Sequence, residues 1–171
     1  MELKVRAMEP AEISLVITYF HRADRQLLLE MGVYAPNLPA PDVWLTRLQA
    51  DFVKPLRERD FYYTVWELDG QLIGHCNVSD LEFGQQAKMH LHMWNNSRRR
   101  KGMGTLLVKR SLAQFFEKLA LKELYCEPYA LNPAPNRTLA RVGFKYLYTH
   151  ETVPGPLNFH QRVTRWVYRL E

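Results

Sequence analysis

Residues 98–104, Arg-Arg-Arg-Lys-Gly-Met-Gly, set four cations against two glycines. The segment lies between an alternating run, "AKMHLHMW" over 87–94, and a long amphipathic run, "TLLVKRSLAQFFEKLALK" over 105–122. A strand-to-helix turn of this composition suits a phosphate. The first N–H groups of a helix have no partner within the helix, and its dipole adds roughly half a positive charge there. Glycine lets the backbone approach a ligand closely and take positive φ. Arg98, Arg99, Arg100 and Lys101 supply further donors. The loop is too short for a Walker A loop, and no Gly-Lys-Ser/Thr follows. A dinucleotide fingerprint fails as well, because Gly102-Met103-Gly104 runs directly into Leu106-Leu107.

Such a turn needs elements to hold it. The chain has 171 residues, 47% of them apolar and 24% charged, which suits one soluble globular domain spanning 1–171. The net charge of +5 favours an anionic partner without naming it. Cys76 and Cys126 sit in strand-like runs with no CxxC or Cys/His metal spacing, so they read as reduced core thiols of a cytoplasmic protein with no metal site. "MELKVRAMEP" has no apolar signal region and no stretch approaches 18 apolar residues, so neither secretion nor a membrane partner is expected. Basic residues outside 98–101 alternate with acidic ones, and no helix-turn-helix, RNA-recognition or zinc pattern occurs. A nucleic-acid module using Arg98–Lys101 with Lys109 and Arg110 is therefore only the alternative.

Along the chain, "LKVRAM" reads as a strand and "PAEISLVITYF" as a helix opening near Pro10. "DRQLLLEMG" reads as a short helix ending at Gly32, and "DVWLTRLQADFVKPL" as a helix capped by Asp42. Asp69-Gly70 joins "FYYTVWEL" and "QLIGHCNVS" as a hairpin. After the glycine turn and its helix come a strand over 123–129, a short helix ending at Gly143, and two closing strands around "VPGP". The order is β-ααα-β-β-β-α-β-α-β-β. Strand–helix–strand through 88–129 implies one parallel right-handed crossover, and the hairpins imply antiparallel pairing elsewhere. The expected class is α/β (α+β): a mixed, mostly antiparallel sheet of about seven strands with helices on both faces.

The stretch Arg99-Arg100-Lys101-Gly102-Met103-Gly104 fits the pattern Arg/Gln-x-x-Gly-x-Gly/Ala. It resembles the pyrophosphate loop of the GNAT superfamily of N-acetyltransferases. The element order is similar to that family over essentially the whole chain. "NPAPNRTLARVGF" looks like its second signature, with Asn132 eleven residues before Gly143-Phe144. The helical entry and closing hairpin look most similar to the branch that acetylates ribosomal-protein N-termini.

The resemblance implies a GNAT fold whose sheet splays at a parallel pair, strands 87–94 and 123–129. It implies acetyl-CoA as cosubstrate in that gap, no metal, and transfer of the acetyl group to a primary amine by direct attack in a ternary complex. The acceptor would be an amine-bearing small molecule or a protein N-terminus. Such folds often pair, so a homodimer is compatible. Backbone groups of His92, Met93 and Trp94 would hold the pantetheine. The N–H groups of Arg99, Arg100, Lys101, Gly102, Met103, Gly104 and Thr105 would hold the pyrophosphate. Asn132, Asn136 and Arg137 would complete the coenzyme site.

An ammonium must lose its proton before it attacks a thioester. Many members carry a tyrosine where this chain has Leu139, and the ribosomal branch often a serine where it has Pro135. The usual acid is therefore missing, which suggests a coenzyme-binding sensor without activity as a further alternative. Glu127, by its strand position, is the expected base and Tyr129 the expected acid. His75, His90 and His92 are substitutes, since histidine titrates near neutrality. Tyr34, Phe159 and His160 are expected to line the acceptor pocket.

Overall fold

The computed structural model describes residues 1–95 and 102–170. In chain order the elements are β1 (Leu3–Ala7), α1 (Ile13–Arg22), α2 (Arg25–Glu30), α3 (Pro41–Phe52), β2 (Tyr62–Leu68), β3 (Gln71–Glu82) and β4 (Gln86–Met93). They continue as α4 (Met103–Leu119), β5 (Glu123–Cys126), α5 (Pro133–Val142), β6 (Lys145–Thr152) and β7 (Gln161–Arg169). This is the order expected from the sequence. Pro10 opens a short 3-10 turn that leads into α1. α3 begins at Pro41, whose fixed φ suits the first helical position, so Asp42 lies in the first turn rather than at the cap.

The strands form one sheet in the order β1-β2-β3-β4-β5-β7-β6. Every pairing is antiparallel except β4 with β5, which α4 connects. Asp69 and Gly70 both take positive φ in the β2–β3 turn, as a tight hairpin requires. Side chains alternate along β2 into two cores. Tyr62, Trp66 and Leu68 pack under α4 and α5, with Phe115, Leu119 and Leu139. Tyr63 and Val65 pack under α1–α3, with Ile13, Val16 and Leu48. Burial on both faces makes the strand almost continuously apolar rather than alternating.

β4 and β5 pair only through Gln86–Lys88 and Glu123–Tyr125. β4 then runs on to Met93 alongside β3, while β5 stops at Cys126, short of the expected Tyr129. Pro128 has no N–H to give a ladder. Past Cys126 the chain stays with β7 instead: Thr164 N donates to Pro128 O, Ala130 N donates to Arg162 O, and Tyr129 bridges Val163. The two strands therefore part, and a cleft opens between them.

Gly74 on β3 sets how closely β4 lies at the cleft. A Cβ there would stand 2.4 Å from His92 O and 2.9 Å from the Trp66 ring. Gly74→Ala should therefore cost about 1–3 kcal/mol and lower Tm by about 2–10 °C in a thermal melt. A neutral substitution would show that β4 is free to retreat.

Candidate active site

The cleft encloses a cavity of about 870 Å³ bounded by β4, β5, the N-terminus of α4, α5, α2 and the β6–β7 loop. One end is built to take negative charge. Gly102, at the N-cap of α4, takes φ 82°, a left-handed conformation that favours glycine, and has no side chain with which to cap the helix. Leu106 N, the fourth in line, donates to Gly102 O. The N–H groups of Met103, Gly104 and Thr105 precede the first intrahelical bond and belong to residues on the cavity wall. Met103 is buried and anchors the turn. Among the described residues a Cβ on Gly104 would meet nothing within 4 Å. Arg137 and Arg141, one turn apart on α5, both reach the same cavity. Arg99, Arg100 and Lys101 lie outside the described residues.

The β4 wall departs from expectation. Trp94 N donates to Ile73 O at 2.8 Å, and His92 O faces Gly74, so both groups are committed to β3. In an antiparallel ladder these directions alternate, so the backbones of Leu91 and Met93 face the cleft. Of the expected trio, Met93 alone has its main chain directed there. His92 contributes its side chain.

That side chain belongs to a ladder of three histidines. His75 and His92 stack with centroids 4.8 Å apart. Trp94 Nε1 donates to His75 Nδ1 at 2.8 Å, which places the proton of neutral His75 on Nε2. His92 Nδ1 lies 3.4 Å from Tyr19 Oη, and His90 Nε2 lies 2.7 Å from Ser79 Oγ. His75 is fully buried; His90 and His92 keep some surface toward the cavity but are enclosed by protein around the rings. Burial lowers all three, His92 to about 3 and His90 to about 4, with the charge of Lys88 adding at His90 and the neighbouring imidazoles adding at His75 and His92. They are neutral at pH 7 and poor proton acceptors.

At the crotch of the fork lies a charged cluster. The Glu127 side chain is only 7% exposed, and it lines the cavity with Lys88, 8% exposed. Glu127 Oε2 is 2.8 Å from His150 Nε2, while Oε1 is 3.4 Å from Arg165 and 3.5 Å from Lys88. Lys88 also donates to Pro154 O and stands 3.6 Å from Asp80. The Arg165 guanidinium sits 4.2 Å over the Tyr125 ring, whose phenol is pushed up to about 12 chiefly by burial. Lys88 is the last β4 residue paired with β5, so the cluster sits where the strands begin to part.

Tyr129 lines the cavity, edge-on to Phe159 at 5.9 Å. Asn132 lines it too, but its amide donates to Glu30 O and so ties α5 to α2. Asn136 is spent within the fold. It donates to Tyr129 O and Asn132 O and accepts from Thr164 Oγ1 and Trp166 Nε1. Tyr34, Phe159 and His160 do not line the cavity, and Phe159 reaches it only through Tyr129. Tyr19, Glu30, Lys88 and Arg141 do, though the sequence reading missed them. Arg137 and Arg141 carried a usable signal, an i,i+4 basic pair on one helix face.

A family model described as "Acetyltransferase (GNAT) domain" matches residues 3–145. No curated protein sequence matches the chain. Among solved structures, a spermidine N-acetyltransferase from Vibrio cholerae, in complex with CoA and spermine, superposes with a TM-score of 0.78 at 16% identity, over 98% of this chain and 95% of that one. A ribosomal-protein-S5-alanine acetyltransferase from Vibrio fischeri gives 0.77 at 16% identity, over 99% and 93%. yncA from Salmonella typhimurium, solved with its cofactor acetyl-CoA, gives 0.73 at 15% identity, over 99% and 94%. The seven-stranded sheet with one parallel pair is thus the fold of these proteins.

The low histidine values fix the sign of a pH dependence. Each ring binds its proton more weakly folded than unfolded. Below about 6.5 the unfolded chain takes up protons that the fold refuses, so stability falls as pH drops from about 6.5 toward 4, and the contribution is complete above that window. In melts across this range, His90→Gln should make the slope of stability against pH shallower by close to one proton. An unchanged slope would contradict the assignment of His90.

Proposed function

The chain belongs to the GNAT acetyltransferase family, and from that premise we propose that it moves the acetyl group of acetyl-CoA to a primary amine by direct attack in a ternary complex. The observation that carries the reading is the N-terminus of α4 opening into the cleft where β4 and β5 part. The residues present fit the coenzyme: helix-start N–H groups and two arginines for phosphates, space at Gly104 among the described residues that a side chain would fill, and a strand edge for an amide-bearing arm. Acetyl-CoA supplies an activated thioester. The N–H groups of Met103, Gly104 and Thr105, with Arg137 and Arg141, would hold its phosphates. The main chain of Leu91 and Met93 would hold the arm and offer a donor to the thioester oxygen as charge develops there.

Glu127 is the proposed base. It lines the cavity, and its Oε2 bonds His150, whose side chain is 36% exposed and can pass a proton to solvent. The three ladder histidines are already neutral, yet hold protons too weakly to compete. Tyr129 is the proposed acid for the leaving thiolate. Leu139 is fully buried in the α4–α5 core and Pro135 has no proton, so neither acts. Glu30 on the cavity wall attracts a cationic amine. The acceptor is an amine-bearing small molecule or a protein N-terminus, in keeping with relatives named for spermidine and for ribosomal-protein S5. Two buried free thiols, and no helix among the described residues able to cross a membrane, support a cytoplasmic setting. The lack of a hydroxyl at Leu139 and Pro135 favours a second reading, a coenzyme-binding sensor; binding without transfer to any amine would select it.

Thiol release from acetyl-CoA across an amine panel tests the chemistry. Glu127→Gln should lower kcat about 10²–10⁴-fold, with KM for acetyl-CoA held. A kcat within threefold of the parent would remove Glu127 from the mechanism. Gly104→Glu should raise KM for acetyl-CoA at least about tenfold while the protein stays folded, since the added carboxylate has room and suits a helix N-terminus. An unchanged KM would place the phosphates elsewhere.

A further inference from the structure

The cavity has a second charged feature beyond the start of α4. Along α5, Ala134, Arg137, Thr138 and Arg141 all line it, and this spacing is one face of a helix. Arg137 and Arg141 therefore stand one turn apart, with about 6 Å between their Cβ atoms. Both are exposed, whereas Gly104 and Thr105 at the start of α4 are half-buried and Met103 is buried. The arginines thus form the outer rim of the cavity and the helix start its inner wall. Among the described residues no salt bridge or hydrogen bond engages either guanidinium. Like charges at this spacing repel and weaken a helix, so an anion that joins them is favoured.

Coenzyme A carries two separate phosphate groups, a diphosphate in line with its arm and a monoester on the 3′ carbon of its ribose. With the arm in the gap between β4 and β5, the diphosphate that follows it meets the first N–H groups of α4. The ribose and its monoester lie one step further out, at the rim. The second pKa of a phosphate monoester is about 6, so at neutral pH it carries close to two charges on three outward oxygens. The helix dipole, worth about half a charge, cannot match that. Guanidinium forks bind such oxygens in pairs, and two forks on one helix face can close on a single monoester from two sides.

We propose, resting on the reading of the cleft as the coenzyme site, that Arg137 and Arg141 clamp the 3′-phosphate of coenzyme A, apart from the diphosphate site at the start of α4. The clamp makes the chain select thioesters of coenzyme A over those of dephospho-coenzyme A, which lacks that group. The helix start and the edge of β4 hold what the two ligands share, and the arginines read what distinguishes them. Thr138, between the two arginines, brings no competing donor, because its hydroxyl donates to Ala134 O. Since the rim is exposed, salt screens the selection.

Calorimetric titration of the full chain with coenzyme A and with dephospho-coenzyme A tests this and needs no acceptor amine. At low salt the parent should bind coenzyme A at least about tenfold more tightly than dephospho-coenzyme A, the scale of hydrogen bonds to charged groups. High salt should shrink that ratio. Arg137→Ala and Arg141→Ala should each lower it, and the double variant should bring it to within about threefold of one. Arg141→Lys, which keeps the charge and loses the fork, should retain part of it. A parent ratio near one, with both ligands bound, would overturn the clamp and leave the coenzyme reading standing. A parent ratio that persists in the folded double variant would do the same, by giving the 3′-phosphate to other residues. Failure of both ligands to bind a parent that melts cooperatively would overturn the coenzyme reading, and the clamp with it.

Discussion

β4 and β5 pair for three residues each and then part, and the working surface of the molecule follows from that parting. Two allegiances enforce it. β4 stays hydrogen-bonded to β3 as far as Met93. The chain after β5 stays with β7 through Pro128, Tyr129 and Ala130. Asn136 locks the second allegiance: its amide joins Tyr129 and Asn132 to Thr164 and Trp166, so α5 moves with β7. α4 begins at the mouth of the gap, with its first N–H groups there, because it is the crossover that parallel strands require. A phosphate-binding end and a reactive end thus share one cleft.

The electrostatics of the cleft are divided along its length. The helix start, Arg137 and Arg141 make one end positive. The histidine ladder keeps the middle of the β4 face neutral, because burial disfavours the imidazolium. At the fork, Glu127 is enclosed with Lys88, Arg165 and His150. Such a cluster holds its geometry because losing one partner leaves a buried charge without compensation. Lys88 carries this fixity outward to the β6–β7 loop through Pro154 O. The same loop is tied to the α2 side, where Gly32 O accepts from Asn158 Nδ2 and Gln161 Nε2. The wall of the cleft is held at both of its ends.

Much of this was legible in the sequence. The order of elements, the Asp69-Gly70 hairpin and the glycine turn opening α4 rest on local signals, and local signals survive folding. What was not legible depended on partners distant in sequence. Alternation along 87–94 shows two phases, but which backbone groups face the cleft depends on which strand lies on each side. Sequence alone therefore points His92 and Trp94 toward the coenzyme, although their main chains are directed to β3. Asn136 reads as a binding residue until its donors on β7, some thirty residues away, are known. Strand position alone points to Glu127; its setting beside Lys88, Arg165 and the His150 ring comes from β4, β6 and β7 together. Tyr34 and His160 lie in loops whose course no periodicity reports.

The most direct measurement is a calorimetric titration of acetyl-CoA into the folded chain at low and at high salt. If the cleft between β4 and β5 is the coenzyme site, binding is saturable at one ligand per chain and weakens as salt screens Arg137, Arg141 and the start of α4. No saturable binding at millimolar acetyl-CoA, with the protein shown to be folded by its melt, would contradict it.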